Sequence, residues 1–342
     1  MRIDVADDYD RGHVRPVDRR VIVSGAGYDF GQEVVRASAP HQCPMFYLDE
    51  EAVRARLCWD ELIAAMERAL AEFSRGTMIH PVRSVLTIEE HRRYLGIMPA
   101  VIGDVMGLKF VTFYPVNAEA GIPTHNATIL LYRTDTGQPL AAMDGRLITE
   151  MRTAAVSAAI TKYLAPAESR ILALLGSGVQ AHSHLKALAH VRRFSEVRVW
   201  SRTPAHAERF AHEHGATAAA SAEVAVRGAD VVVSATAASE PILKGAWLKP
   251  GAHVNAVGSS RPDWRELDDE AMANVVVVDS RDAAAKEAGD VILANARIYA
   301  EIGEIFAGIK PATPAVTTVF KSVGLAVEDV AAARLVIGDA RS

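Results

Sequence analysis

The stretch ILALLGSGVQAHSHLKALA, residues 171–189, constrains the fold more than any other part of the chain. A short apolar run leads into a glycine-rich turn, and the turn opens a helix. Gly176, Gly178 and Ala181 fit the spacing G-x-G-x-x-G/A. In such a turn the first glycine permits the tight bend and the second lets the backbone approach a pyrophosphate. The small third residue keeps helix and strand close, and the free N–H groups at the helix start face the phosphates. Strand and helix alternate around this unit through RILALLG, EVRVWS, ADVVVSAT, AHVNAVG and NVVVVDS. Their β-branched runs lack polar alternation, as in a parallel sheet buried on both faces. The fold class expected is α/β, with a Rossmann-type doubly wound domain over residues 151–310.

A second glycine loop, VIVSGAGYDFGQEVV (21–35), carries Gly25, Gly27 and Gly31 but lacks this setting. A proline-flanked turn and then a sheet follow it, without a chain of strand–helix units. A lone glycine motif is weak, so residues 1–44 read as an N-terminal extension. The cofactor is expected at the loop beginning at Gly176. After EVRVW ends at Trp200, the chain reads Ser201-Arg202-Thr203 where an NAD enzyme usually shows an acidic residue. A carboxylate there would repel a 2′-phosphate, whereas a guanidinium and two hydroxyls would hold it. NADPH is therefore the cofactor expected, with NADH weaker.

The first half has a different pattern. A helical region at 48–76 precedes the runs RSVLTI, RYLGIMP, GLKFVTFYP and ATILLYRTDTGQPLAAMDG. DTG between two apolar runs marks a hairpin, and strands in succession predict an antiparallel or mixed sheet. An alanine-rich helix is predicted at 147–165. The tail, TTVFKSVGLAVEDVAAARLVIGDA, reads as a helix that packs back on the first domain. The division expected is an extension (1–44), an α+β substrate-binding and dimerisation domain (45–150, completed by about 311–342) and the Rossmann domain (151–310).

A chain of 342 residues has room for two such cores. Its net charge of −5 and pI near 6.2 argue against nucleic-acid binding. The twelve histidines are scattered, neither HExxH nor paired CxxC occurs, and no metal is expected. Two cysteines, Cys43 and Cys58, suit free thiols in a reducing compartment. The charged N-terminus has no apolar core of a secretory signal, and no run is long enough to span a membrane. A cytoplasmic protein is expected.

Four polar residues of the first half stand out: Arg83, Lys109, His125 and Arg152. Each alone reads most simply as a solvated or snorkelling side chain. Lys109 is the exception, because it interrupts the apolar strand GLKFVTFY; a lysine so placed binds an anion or has its pKa lowered by desolvation. Arg152 lies near the start of the alanine-rich helix, where it could face the cleft beside the nucleotide sheet.

PTHNATILLYRTDTGQPLAAMDGRLITEMRTAAVSAAITKYLA followed by LLGSGVQAHSH resembles the ornithine cyclodeaminase/μ-crystallin family. HVNAVGSSRPDWRELDDE and TTVFKSVGLAVEDVAAA are similar to its μ-crystallin branch. The resemblance runs from about Met45 to the C-terminus and leaves residues 1–44 outside. It implies a homodimer whose first domains pair their sheets, with a nicotinamide cofactor on the second domain. It further implies that Arg83, Lys109 and Arg152 hold a substrate carboxylate, which suits strong charge-assisted bonds. Thr124 and His125 would lie near the nicotinamide. Gly176, Ser177, Gly178, Val179, Gln180, Ser201, Arg202, Thr203, Thr236, Val257 and Ser322 would line the cofactor.

The chain departs from the cyclodeaminases at one place. They carry an aspartate shortly after the VG of GSSRPDW, where it serves the substrate amine; here the residue is Ser260, on the substrate side. Without that carboxylate, ornithine deamination loses its base. The μ-crystallin branch shares this absence and reduces cyclic ketimines. The function expected is therefore NADPH-dependent reduction of cyclic or N-substituted ketimines bearing a carboxylate, such as Δ1-piperideine-2-carboxylate or Δ1-pyrroline-2-carboxylate, to L-amino acids. The catalytic residues expected are Lys109, Arg83 and Arg152. Ornithine cyclodeamination or alanine-type dehydrogenation is the enzymatic alternative. A small-molecule binding protein, of the thyroid-hormone-binding kind, is the alternative from another class.

Overall fold

The computed structural model describes residues 45–90 and 92–338. The glycine loop at 25–31 and the extension to residue 44 lie outside them, as does Cys43; Cys58 is an exposed free thiol. Fourteen strands form two sheets. The first contains β1 (Phe46–Leu48), β2 (Ser84–Glu89), β3 (Arg93–Ile102), β4 (Val105–Phe113), β5 (His125–Arg133) and β6 (Pro139–Asp144). Its order is β1-β6-β5-β4-β3-β2. β1 runs parallel to β6 and the other neighbours are antiparallel. The DTG turn closes the β5–β6 hairpin, with Gly137 at φ +70°. Along β3 buried and half-buried residues alternate, so one face is packed.

The second sheet holds β7 (Ile171–Leu175), β8 (Glu196–Trp200), β9 (Thr217–Ala218), β10 (Val231–Ser234), β11 (His253–Ala256), β12 (Val275–Val278), β13 (Ile298–Glu301) and β14 (Thr318–Lys321). Every pairing is parallel, in the order β13-β12-β14-β11-β10-β7-β8-β9. β10, β11 and β14 are buried at every residue, as strands covered on both faces must be.

The tail differs from its sequence reading. Thr318–Lys321 is a strand inserted between β11 and β12, and only Ala326–Ile337 is helical. A four-residue β-branched and aromatic run is too short for periodicity to separate strand from helix. Its place is fixed by pairing with strands more than forty residues earlier.

The helix Arg146–Leu164 is buried on nearly all sides. A helix apolar all round belongs in an interior, and this one packs on the helices Trp59–Ser74, Val179–Ala189 and Ala326–Ile337 and touches β5, β11 and β14. It joins the two sheets into one core. No described helix is long and apolar enough to cross a membrane.

Candidate functional site

Strand periodicity turns Lys109 inward. On β4, Val105, Gly107 and Lys109 share the buried face, and Lys109 is 1% exposed. Gly107 lets the helix Ala326–Ile337 come close, since a Cβ there would stand 2.6 Å from Val330. The close approach brings Asp329 to Lys109 Nζ at 2.5 Å. Arg152, 5% exposed on the buried helix, meets Asp329 and its neighbour Glu328: Nη1 donates to Glu328 at 2.6 Å and Nε to Asp329 at 3.1 Å. Buried charges persist only when paired, and these helices supply the pairs.

Arg83 reaches the cluster from the loop before β2. Its Nη2 donates to the carbonyls of Val323 (2.5 Å) and Gly324 (2.6 Å) and lies 3.0 Å from Glu287. The amides of Val323 and Gly324 donate to Asp279 at 2.8 and 2.7 Å. Gly324 has φ +77°, and a Cβ on it would stand 2.5 Å from Arg152. The segment leaving β14 is therefore held from both sides, and it carries the cationic cluster to the C-terminal edge of the nucleotide sheet. Lys109, Arg152 and Arg83 are brought together here.

Burial lowers the Lys109 pKa to about 8, although Asp329 works to raise it. Burial also pushes Glu328 up to about 7 against the pull of Arg152. Glu287 is raised by burial, with Arg83 opposing. Asp329 resists burial because Lys109 and Arg152 hold it below the ordinary carboxylate range. Glu287, Glu328, Asp329 and Asp279 are not among the site residues named from sequence. A signal existed for two of them: Glu328 and Asp329 are adjacent acids in the otherwise apolar GLAVEDVAAA.

The glycine turn has the shape that its spacing predicts. Gly176 has φ +108°, and a Cβ there would collide with the Ala235 carbonyl at 2.5 Å. Gly178 faces open space, precedes the helix Val179–Ala189, and makes no side-chain cap. The first turn holds no acid, and the Gln180 side-chain oxygen is buried without a hydrogen-bond partner among the described residues. Open N–H groups and the absence of negative charge in the first turn fit a bound pyrophosphate. At the tip of β8, Ser201 is half-buried while Arg202 and Thr203 are exposed, and Thr203 precedes the helix Pro204–His214 without capping it.

Thr236, Val257 and Ser322 follow β10, β11 and β14, adjacent strands of the same sheet. Glu266 shapes the first two turns, accepting from Thr236 Oγ1 (2.7 Å), the Thr236 amide (2.8 Å) and the Gly258 amide (2.9 Å). The Ser322 hydroxyl donates to Asp279 at 3.1 Å. Thr124 Oγ1 lies 3.1 Å from His125 Nδ1, and the His125 ring stacks on Phe113 at 4.5 Å. Ser260 is exposed on the loop after β11, beside Arg261, whose guanidinium covers the Tyr94 ring of β3 at 4.8 Å.

Comparison with known proteins covers the same span. The model of the ornithine cyclodeaminase/mu-crystallin family matches residues 44–342. The ketimine reductase mu-crystallin of Mus musculus is 49% identical over 303 residues, 86% of this chain and 97% of that protein. The solved Δ1-pyrroline-2-carboxylate reductase of Thermococcus litoralis, in complex with NADH and L-proline, superposes with TM-score 0.82 at 36% identity. That match covers 86% of this chain and 96% of the other. An archaeal alanine dehydrogenase dimer with bound NAD gives TM-score 0.80 at 33% identity, covering 86% and 95%. With its glycine turn and its buried basic cluster on matching spans, the chain belongs to the ornithine cyclodeaminase/mu-crystallin family.

Proposed function

We propose that the protein reduces cyclic or N-substituted ketimines bearing a carboxylate to L-amino acids, with NADPH preferred over NADH. The reading is carried by one observation. Two guanidiniums and an ammonium gather on Glu328, Asp329 and the Val323–Gly324 segment, which leaves the same C-terminal edge of the nucleotide sheet as the open glycine turn. The ketimine reductase and pyrroline-2-carboxylate reductase relatives support the reaction class. Bound dihydronicotinamide supplies a hydride to the imine carbon. Gly176, Ser177, Gly178, Val179 and Gln180 would hold its pyrophosphate, and Ser201, Arg202 and Thr203 the 2′-phosphate. Thr236, Val257, Ser322, Thr124 and His125 would flank the nicotinamide half. Residues 45–150 with the C-terminal helix would form the substrate domain, and a homodimer is the assembly proposed.

The chain's own residues orient the substrate and move one proton. Arg83 and Arg152 bind the substrate carboxylate, fixing the imine carbon toward the cofactor. Lys109, a cation of lowered pKa, donates the proton that the imine nitrogen keeps as an amine. Ser260 borders the substrate without a carboxylate to accept a proton from an α-ammonium.

Steady-state assays on Δ1-piperideine-2-carboxylate and Δ1-pyrroline-2-carboxylate with each cofactor test the proposal. Turnover is expected with both imines, at higher kcat/KM with NADPH, and proline formation from ornithine should be negligible. Ornithine turnover rivalling imine reduction would replace this reading by cyclodeamination. A higher kcat/KM with NADH would overturn the role given to Arg202.

A further inference from the structure

The fold brings His182 to the adjacent pair Glu213 and His214, none of them a member of the basic cluster. His182 sits one turn into the helix Val179–Ala189, and Glu213 and His214 end the helix Pro204–His214. His182 Nδ1 and His214 Nε2 are 2.7 Å apart. One ligand atom from each of the three residues falls within 4.8 Å of the others. Phe210, 1% exposed, packs on both imidazoles with ring centroids at 4.5 and 4.6 Å, which fixes where the rings stand.

We propose that His182, Glu213 and His214 bind a divalent transition-metal ion, with water completing the coordination. Two imidazole nitrogens and one carboxylate oxygen form a ligand set that zinc accepts, leaving a fourth position open. Tetrahedral bonds of about 2.0–2.1 Å set ligand atoms roughly 3.3 Å apart. The two nitrogens must therefore open by about half an ångström from their hydrogen-bonded separation. Glu213 is exposed and moves in by rotating its side chain. On binding, the ring that donates the shared hydrogen changes tautomer and carries it on its other nitrogen, so that both rings face the ion with a lone pair.

The placement gives the site a consequence. One helix starts at the glycine turn and the other at Thr203, so a shared ion would clamp the two elements whose N-termini flank the nucleotide. This inference does not depend on the reaction assigned to the protein.

Metal-stripped full-length protein is titrated with Zn2+ against a chromophoric chelator, alongside the variant His182→Ala/His214→Ala. The wild type is expected to bind one more equivalent per chain than the variant, and Co2+ in that site should give the strong visible absorption of a four-coordinate ion. Should the double variant fail to fold by circular dichroism, His182→Gln and Glu213→Gln replace it, each expected to weaken Zn2+ at least tenfold. Equal stoichiometry and affinity in wild type and the folded variants would overturn the site and leave the pair as a plain His–His hydrogen bond.

Discussion

Four carboxylates, Asp279, Glu287, Glu328 and Asp329, stand against three cations, Arg83, Lys109 and Arg152. A substrate carboxylate would add a fifth negative charge, so the cluster admits it only if one acid is neutral. Glu328 is that acid. It is fully buried, one of its oxygens has no hydrogen-bond partner among the described residues, and burial raises its pKa to about 7. Below that value Glu328 is neutral and Arg152 is available to the substrate. Above it, ionised Glu328 competes for Arg152. The KM for an imine acid is therefore expected to rise as pH climbs through 7, by up to about tenfold per unit. Glu328→Gln should flatten that rise. KM profiles of the two proteins check this, and identical slopes would discard the role of Glu328. Lys109 was legible from sequence because a lysine inside an apolar strand needs an anion. Its partner acids were less so, because pairing across 220 residues depends on a helix docking on β4.

At the scale of the element, the turn after β14 decides the geometry of the cluster. Gly324 combines a left-handed φ of +77° with a guanidinium where its Cβ would stand. Alanine there meets about 1–2 kcal/mol of backbone strain and displaces Arg152. Gly324→Ala is expected to raise the KM for the imine acid on the order of tenfold or more, while cofactor affinity stays within a few-fold. Separate titrations with NADPH and with substrate distinguish the two, and an unchanged KM would remove this turn from the site. β7, β8, β10, β11 and β12 could be recognised because glycine turns and β-branched runs are local signals, whereas the two-residue β9 carries none. β14 was not recognised, since TVFK resembles the start of the helix that follows it. Only pairing between β11 and β12 makes it a strand.

At the scale of the molecule, the first sheet carries apolar surface that the described residues leave uncovered. Val85, Leu86 and Ile88 on the edge strand β2 are 54%, 52% and 56% exposed. Consecutive residues of a strand point to opposite faces, so Val85 and Leu86 leave β2 unburied on both. Across the sheet, Phe46 and Tyr47 on β1 are exposed as well. The run RSVLTI reads from sequence as a strand, but a sequence pattern does not say which chain covers its apolar side chains. Open edges bearing large apolar side chains are interaction surfaces. In the homodimer proposed above, β2 is the edge expected to meet a second copy. Light scattering should then give about twice the chain mass of 36.8 kDa. Leu86→Lys/Ile88→Lys should shift the protein toward a folded monomer at micromolar concentration, because two lysines cannot be covered there without losing their hydration. A wild-type protein of single-chain mass, or a double variant that dimerises as tightly as the wild type, would exclude β2 from the interface.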